Sequence, residues 1–394
     1  MPAPVVAGGT IKFLVVNEGC FRIAMPSQRI VRLTPLSAVL AVAESRVNPV
    51  NPQRLPLAET LGDTLAEDVM TSARPPHPIA LRDGFAVAAA AIADATAYGP
   101  VALATVPPRV DVGDLVPREA DAVVPLDAIT QRGNRAEAIA SVSPGEGILA
   151  AGGDASPRTP LRRAGERLRV IDLAVMTAAG IVDATVRKPR VRIACGAATR
   201  TPLVEAATNM LTRAVVSVGG TIAGAHMGLG RLDESLMDED ADAVIAVGGT
   251  GSGRQDGSVD TLARLGRVEV HGIAVSPGES AALGWVAQRP VLLVPGRLNA
   301  ALAIWLLIAR HVVARLAGGS VDDAPRMLEL KRKVSSTIGL TELIPVRCTD
   351  GTAEPLASGY LSFTSLARSD GWIVVPADSE GFAAGAPVAV KQWP

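Results

Sequence analysis

The sequence predicts a multidomain α/β protein with a central, mostly parallel sheet and smaller β domains on either side of it in the chain. Three observations lead there. From Arg190 onward to about Gly319, apolar strand-like runs alternate with amphipathic segments, the pattern of strands joined by crossover helices and covered on both faces. From Asp83 to Ser143, and again from Met327 to Pro394, apolar runs are short and punctuated by Gly, Pro and Asp, which suits small β domains. With 394 residues, the chain exceeds one core of ordinary size, so two to four domains are expected.

The elements follow in order. Residues up to about Ser27 read as a loose extension, with Met25 as a second candidate start. Within it, "IKFLVVNEGCFRIAMP" carries Glu18 in its apolar part and lacks a small-residue cleavage site, so it makes a poor secretion signal. "LTPLSAVLAVAESRV" predicts a helix with Thr34 as N-cap and Pro35 at the first helical position. "LPLAETLGDTLAEDVMTS" predicts a second, broken by Gly62, that becomes extended at the prolines of "SARPPHP". "DGFAVAAA", "VALATVPPRVDVGDLVP" and "DAVVPLDAI" predict short strands, and "LRVIDLAVMTAAGI" a helix ending at Gly180. Then "RVRIACG", "DAVIAVGG" and "RPVLLVPG" predict strands, with helices at "PLVEAATNMLTRAVVSVGG", "SVDTLARLG" and Ala300 to Gly319. Arg310 and His311 interrupt that last apolar helix before the roughly 18 residues of a membrane span, and Gly318 and Gly319 end it. "ELIPVRC", "GWIVVPA" and "APVAVKQ" predict the strands of the last domain.

Composition narrows the function classes. At 48% hydrophobic and 20% charged, the chain is expected to be soluble and well packed. A net charge of -1 supplies no strong basic field, so neither nucleic acid nor an acidic membrane surface is an expected partner. Cys20, Cys195 and Cys348 are odd in number and far apart, which argues against a disulfide framework and for a cytoplasmic setting. His77, His226, His271 and His311 show no zinc-ligand spacing.

One stretch points to a ligand. In "VIAVGGTGSGRQDGSVDTLARLG", Gly248, Gly249, Gly251 and Gly253 follow directly on a strand, where ligands of open α/β sheets sit. Glycines let backbone N–H groups surround an anion, and the next helix offers the positive end of its dipole, so a phosphate is the expected guest. Thr250, Ser252 and Arg254 add donors, while Asp256 places a carboxylate where it could meet a metal ion. The loop matches neither G-x-x-x-x-G-K-[ST] nor the G-x-G-x-x-G dinucleotide fingerprint, and a plain strand-to-helix turn is its bland alternative. "VPGRLNAA" makes a second glycine corner with Pro295, Gly296 and Arg297, and "VSPGES" a third with Pro277 and Gly278. Together they imply one elongated ligand crossing the sheet edge.

In their order, "RDGFAV", "EADAVVPLDAI", "GGD" at Gly152 to Asp154, "GGTGSGRQD", "SPGES", "PGRLNAA" and "SGYLSFTSLARSDGWIVVP" resemble the molybdopterin molybdenumtransferase family, which includes the E domain of gephyrin. The resemblance covers nearly the whole chain from about Ile30. It implies an N-terminal extension (1–29), a segmented N-terminal domain (30–70 and 155–185), an inserted β domain (71–154), an α/β molybdopterin-binding domain (186–326) and a C-terminal β domain (327–394). It further implies a homodimer that binds molybdopterin or its adenylylated form, releases the nucleotide with help from Mg2+, places molybdate on the dithiolene sulfurs, and works beside a molybdoenzyme or another cofactor-biosynthesis protein. By the same likeness the glycine loop holds the pterin's phosphate, and Asp256 helps to position metal or molybdate. Asp83 and Asp154 become candidate metal or polar ligands that reach the site across the dimer, although each is equally readable as a turn or loop acid.

Several residues depart from the family's pattern. "CGAAT" puts Ala197 and Ala198 where the family has Asp and Glu, and alanine supplies no acid, base or metal ligand. "SPGES" puts Ser276 and Glu279 in place of cationic groups, while "PGRLN" puts Arg297 and Leu298 in place of Asn and Pro. "AGAHMGLGRLDESL" lacks the expected acid pair. Three functions follow as alternatives: a divergent transferase with a partly degenerate site, a non-catalytic molybdopterin or cofactor carrier, and a gephyrin-like scaffold.

Overall fold

In the computed structural model, residues 28–198, 200–224, 231–321 and 323–393 are described. The expected extension up to Ser27, with Cys20 and Met25, falls outside them, as does His226. Helix α1 spans Leu36–Arg46 and buries Val39 and Ala43. Thr34 does not cap it. Its backbone is spent on the α/β domain instead, the N–H donating to the Gly272 carbonyl (2.9 Å) and the carbonyl accepting from the Ala274 N–H (2.8 Å). Pro35, which has no N–H to satisfy, takes the cap position.

The helix expected near residues 55–72 does not form. Gln53–Pro56 is a strand antiparallel to Asp183–Arg187, Leu57–Glu59 is a 3-10 turn, and Thr64–Leu65 pairs with the other edge of Asp183–Arg187. Pro56 cannot donate the N–H a helix interior needs, and Gly62 sits at φ 83°, outside helical space. Helix α2, Val170–Ala178, forms as expected with Gly180 at φ 80°, and its Met176 packs with Leu57, Leu65 and Val186 in a small separate core. Between these segments lie two three-stranded antiparallel sheets that share a core of small and β-branched residues such as Ile92, Val124 and Ala138.

Six strands build the central sheet in the order Thr221–Ile222, Arg190–Cys195, Ala243–Val247, Arg289–Val294, Ala282–Val286, Arg267–His271. The first four are mutually parallel; Ala282–Val286 runs antiparallel to both of its neighbours, Arg289–Val294 and Arg267–His271. Helices α3 (Pro202–Ser217), α4 (Leu232–Met237) and α5 (Ser258–Leu265) follow their strands, and Thr201 caps α3 by accepting the Val204 N–H. Register aligns Cys195 with Val247 and Val247 with Val294, so three strands end level and their loops open side by side.

The apolar run contains α6 (Leu298–Ile304), a π-helical turn (Trp305–Ala309) and α7 (Arg310–Leu316). Its length and composition match a membrane span, but 78% of its most apolar window is buried in the protein, so it is a core helix here. Arg310, with 6% of its side chain exposed, pairs with Asp323 (Nη1–Oδ1 2.8 Å) and lies 5.3 Å over Trp372; Lys391 reaches the same carboxylate at 3.0 Å. That cluster ties the core helix to the C-terminal domain.

In that last domain Thr341–Thr349, Thr352–Pro355, Arg326–Leu330, Pro387–Gln392 and Gly371–Val375 pair in series, and the first and last also pair, closing a barrel-like sheet. Val275–Ser276 pairs in parallel with Thr341 and Glu342 at its edge. The loop after Ser276 therefore lies between the two domains.

Candidate functional site

The wholly buried strand Ala243–Val247 ends at Gly248, whose N–H donates to Val294 O at 2.7 Å. Gly248 and Gly249 have φ of 93° and 74°. A Cβ on Gly249 would lie 2.3 Å from Ser258 Oγ and 2.4 Å from the Gly196 carbonyl oxygen, so only glycine fits this corner. Ser258, fully buried, lies within hydrogen-bond distance of Gly196 O (3.0 Å) and Gly248 O (2.7 Å), which joins the loops after two neighbouring strands.

Above this corner opens a cleft of about 560 Å³. It brings together all three glycine corners: Gly249, Thr250 and Gly251; Pro277 and Gly278; Pro295, Gly296 and Arg297. Asp256 lines it as well. Gly248 lies beneath, and Ser252, Gly253 and Arg254 stand outside the lining. Among the described residues the amides of Gly249, Thr250, Gly251 and Ser252 have no acceptor, which leaves four adjacent donors for an anion. Thr250 Oγ1 meets Ser280 Oγ at 2.9 Å, and His271 Nε2 lies 3.1 Å from the Thr250 carbonyl, which requires the proton on Nε2.

Asp256 has a structural duty. Its Oδ2 accepts the Gly253 N–H at 2.8 Å and fills the inside of the turn, where a Cβ on Gly251 would come within 2.8 Å of it. Glu279, the second acid of the cleft, accepts the Gly278 N–H at 3.1 Å. The lining thus holds two carboxylates and one guanidinium. Among the described residues no three His, Cys, Asp or Glu side chains cluster to hold a metal ion; a Mg2+ bound by one or two carboxylates would need water and substrate phosphates for the rest of its octahedron.

The expected role of the α5 N-terminus is corrected. Gln28, 3% exposed, lays its side-chain carbonyl against the Val259 N–H (2.6 Å) and the Asp260 N–H (3.2 Å), while its Nε2 donates to Gly251 O (2.8 Å) and Gly249 O (3.1 Å). Those helix amides are occupied, which leaves the loop amides to meet an anion. Gln28 is thus a built part of the glycine loop, not of a loose extension; its 221-residue separation from Gly249 gave no local signal.

Asp83 and Asp154 do not line the cleft. Asp83 accepts the Val112 N–H at 2.8 Å, and Asp154 is exposed in a turn whose backbone bonds to Arg74. Residues that motif reading did not assign to the site are Ser280, Asn299, Ala300, Gly359 and Tyr360. Tyr360 enters from the C-terminal domain, on a loop held by the buried Glu342, which accepts from Ser358 Oγ (3.0 Å) and the Gly359 N–H.

Three regions of the chain match family profiles in order: the MoeA N-terminal region (domain I and II) over residues 34–180, the probable molybdopterin binding domain over 228–315, and the MoeA C-terminal region (domain IV) over 327–393. The chain belongs to the MoeA family. Its relatives in the family include the Molybdopterin molybdenumtransferase 2 of Mycobacterium tuberculosis (strain H37Rv), 26% identical over 89% of this chain and 97% of that protein. The Putative molybdopterin biosynthesis protein MJ0666 of Methanocaldococcus jannaschii is 32% identical over 36% of this chain and only 34% of its own length. Among solved structures, the molybdopterin biosynthesis moea protein from Pyrococcus horikosii superposes with a TM-score of 0.72 at 25% identity, over 92% of this chain and 99% of that one. The chain has the multidomain MoeA fold, with a mixed α/β sheet and a barrel-like C-terminal sheet.

Proposed function

We propose that the chain serves molybdenum cofactor biosynthesis as a molybdopterin molybdenumtransferase, which takes adenylylated molybdopterin and molybdate and releases AMP, as a cytoplasmic homodimer. The observation that supports this reading is the convergence of three glycine corners on one cleft, three of whose lining residues, Gly249, Thr250 and Gly251, carry open amides. Gly249 to Gly251 bind a phosphoryl group through backbone N–H, Arg297 adds positive charge, and the Thr250–Ser280 hydroxyl pair orients a polar edge. A magnesium ion held by Asp256 and Glu279 would neutralise phosphate charge when bound. Asp83 and Asp154 have a role in this reading only when a second copy presents them to the cleft.

The test is AMP release from adenylylated molybdopterin by the purified protein with molybdate and magnesium present. Molybdate-dependent release supports the transferase. A folded protein that binds the pterin without releasing AMP is a carrier, the reading favoured by Ala197 and Ala198, which leave the loop after Arg190–Cys195 without a carboxylate.

A further inference from the structure

Beside the cleft opens a smaller cavity, of about 290 Å³, on the side of the C-terminal domain. The two share Ser276 and Gly359 in their linings, so they adjoin at the seam between the domains. Strand pairing puts Glu342 in register with Ser276, where the loop that forms one wall of the cleft begins. Glu342 is 5% exposed, and its bonds from Ser358 Oγ and the Gly359 N–H both fall on Oε1. Its Oε2 has no hydrogen-bond partner among the described residues. Neither has the buried Ser336 Oγ, on the same lining. Ser335 and Thr337 add further hydroxyls, while no lysine, arginine or histidine lines the cavity.

We infer that this side chamber takes the N–H edge of a planar heterocycle, the aminopyrimidinone edge of a pterin, and that Glu342 selects it; the inference rests on the reading that the glycine loop holds the same ligand's phosphoryl group. A buried carboxylate oxygen without a partner is unfavourable, and only a hydrogen-bond donor relieves it. With no cation in the lining, that donor comes from the ligand. An oxyanion does not fit, because it would meet a carboxylate with no positive group to offset the repulsion. A metal ion does not fit either, since Glu342 is the one carboxylate of the lining. A pterin carries a ring N–H and an exocyclic amino group side by side on one edge. Oε2 accepts from that edge, and the Ser336 hydroxyl, which both donates and accepts, serves the neighbouring ring atom. The volume lies at the small end of ligand pockets and suits a ring system, not a whole nucleotide. The ligand thus meets opposite demands at its two ends: backbone N–H groups and Arg297 at the phosphoryl end, a carboxylate and hydroxyls at the ring end.

Fluorescence titration of the purified protein in EDTA, with hydroxymethylpterin phosphate and hydroxymethyllumazine phosphate as separate ligands, tests this without any turnover. The lumazine has a carbonyl where the pterin has its amino group, so it turns an acceptor toward Glu342. The wild type should bind the pterin roughly tenfold or more tightly than the lumazine. Glu342→Gln keeps an oxygen for Ser358 and Gly359 but replaces the free oxygen by an amide N–H2, so the preference should vanish or reverse with an unchanged circular dichroism spectrum. Ser336→Ala, which breaks no bond among the described residues, should weaken pterin binding by roughly threefold. If Glu342→Gln does not fold, the wild-type comparison and Ser336→Ala decide. Equal affinities for the two compounds in the wild type, or an unchanged preference in a folded Glu342→Gln, overturn the inference and leave the glycine-loop reading standing. A wild type that binds neither compound overturns the glycine-loop reading, and the chamber's assignment falls with it.

Discussion

Gln28 and Gly251 are hydrogen-bonded across 223 positions of sequence, Nε2 to carbonyl oxygen at 2.8 Å. The same carboxamide accepts two N–H groups of α5, so one buried side chain satisfies the loop's carbonyls and the helix's amides together. Only a group that donates and accepts can do both. Gln28→Glu keeps the acceptor and loses the donor, while Gln28→Ala loses both and leaves buried polar groups without partners. Gln28→Ala should lower stability by roughly 1–3 kcal/mol in urea unfolding and weaken pterin binding. Unchanged stability and affinity in both variants would show that the loop keeps its shape without Gln28.

Gly249 and Gly251 should fail in different ways. At Gly249 a Cβ meets a backbone carbonyl and the buried Ser258 at a positive φ, so Gly249→Ala should cost roughly 1–3 kcal/mol of stability. At Gly251 the nearest atom is the end of the Asp256 carboxylate, which can move. Gly251→Val should therefore lose ligand affinity with a smaller stability loss, measured by calorimetry beside thermal unfolding. Equal losses of stability in the two variants would contradict this division.

Asp256 combines loop shape with charge, and Asp256→Asn separates them. The amide oxygen of Asn can still accept the Gly253 N–H, so the turn is expected to survive and the melting temperature to move little. If the charge acts on substrate, AMP release should fall by roughly 100-fold or more. Turnover at the wild-type rate would confine Asp256 to shaping the loop.

The three parallel strands that carry the site were legible because each is an apolar run stopped by glycine or proline: Cys195–Gly196, Val247–Gly248, Val294–Pro295. The strand Ala282–Val286 was not, since it is buried on both faces and shows no alternation, and Gly284 inside it packs against the Arg267 carbonyl. The glycine corners were readable as a ligand edge because backbone approach demands glycine at particular places. Gln28 was not, because a polar side chain that docks at long range leaves no periodic trace. Near residues 55–72, helical spacing of leucines outweighed Pro56 and Gly62 in the reading, and the backbone obeyed the latter. Asp83 before Gly84 carried two meanings from the start, and in the structure its carboxylate accepts the Val112 N–H, 29 positions away.

His311 makes stability depend on pH. Burial, and next the charge of Arg310, push its pKa from 6.5 down to about 4. Between these values the unfolded chain binds a proton that the folded chain does not, so this group leaves stability intact above pH 6.5 and erodes it as pH falls toward 4. Asp323 acts in a lower window. Burial raises its pKa, but hydrogen bonds from Arg310 and Lys391 outweigh that and hold it below the ordinary value. Its contribution is present above the ordinary carboxylate range and is lost as pH falls through the depressed pKa. A thermal unfolding series from pH 7 to pH 5 should therefore show a falling midpoint in the wild type and a shallower fall in His311→Gln. If the two series run parallel, His311 is not the group that titrates, and the buried cluster of Arg310, Asp323 and Lys391 holds its charge state unaided by the histidine.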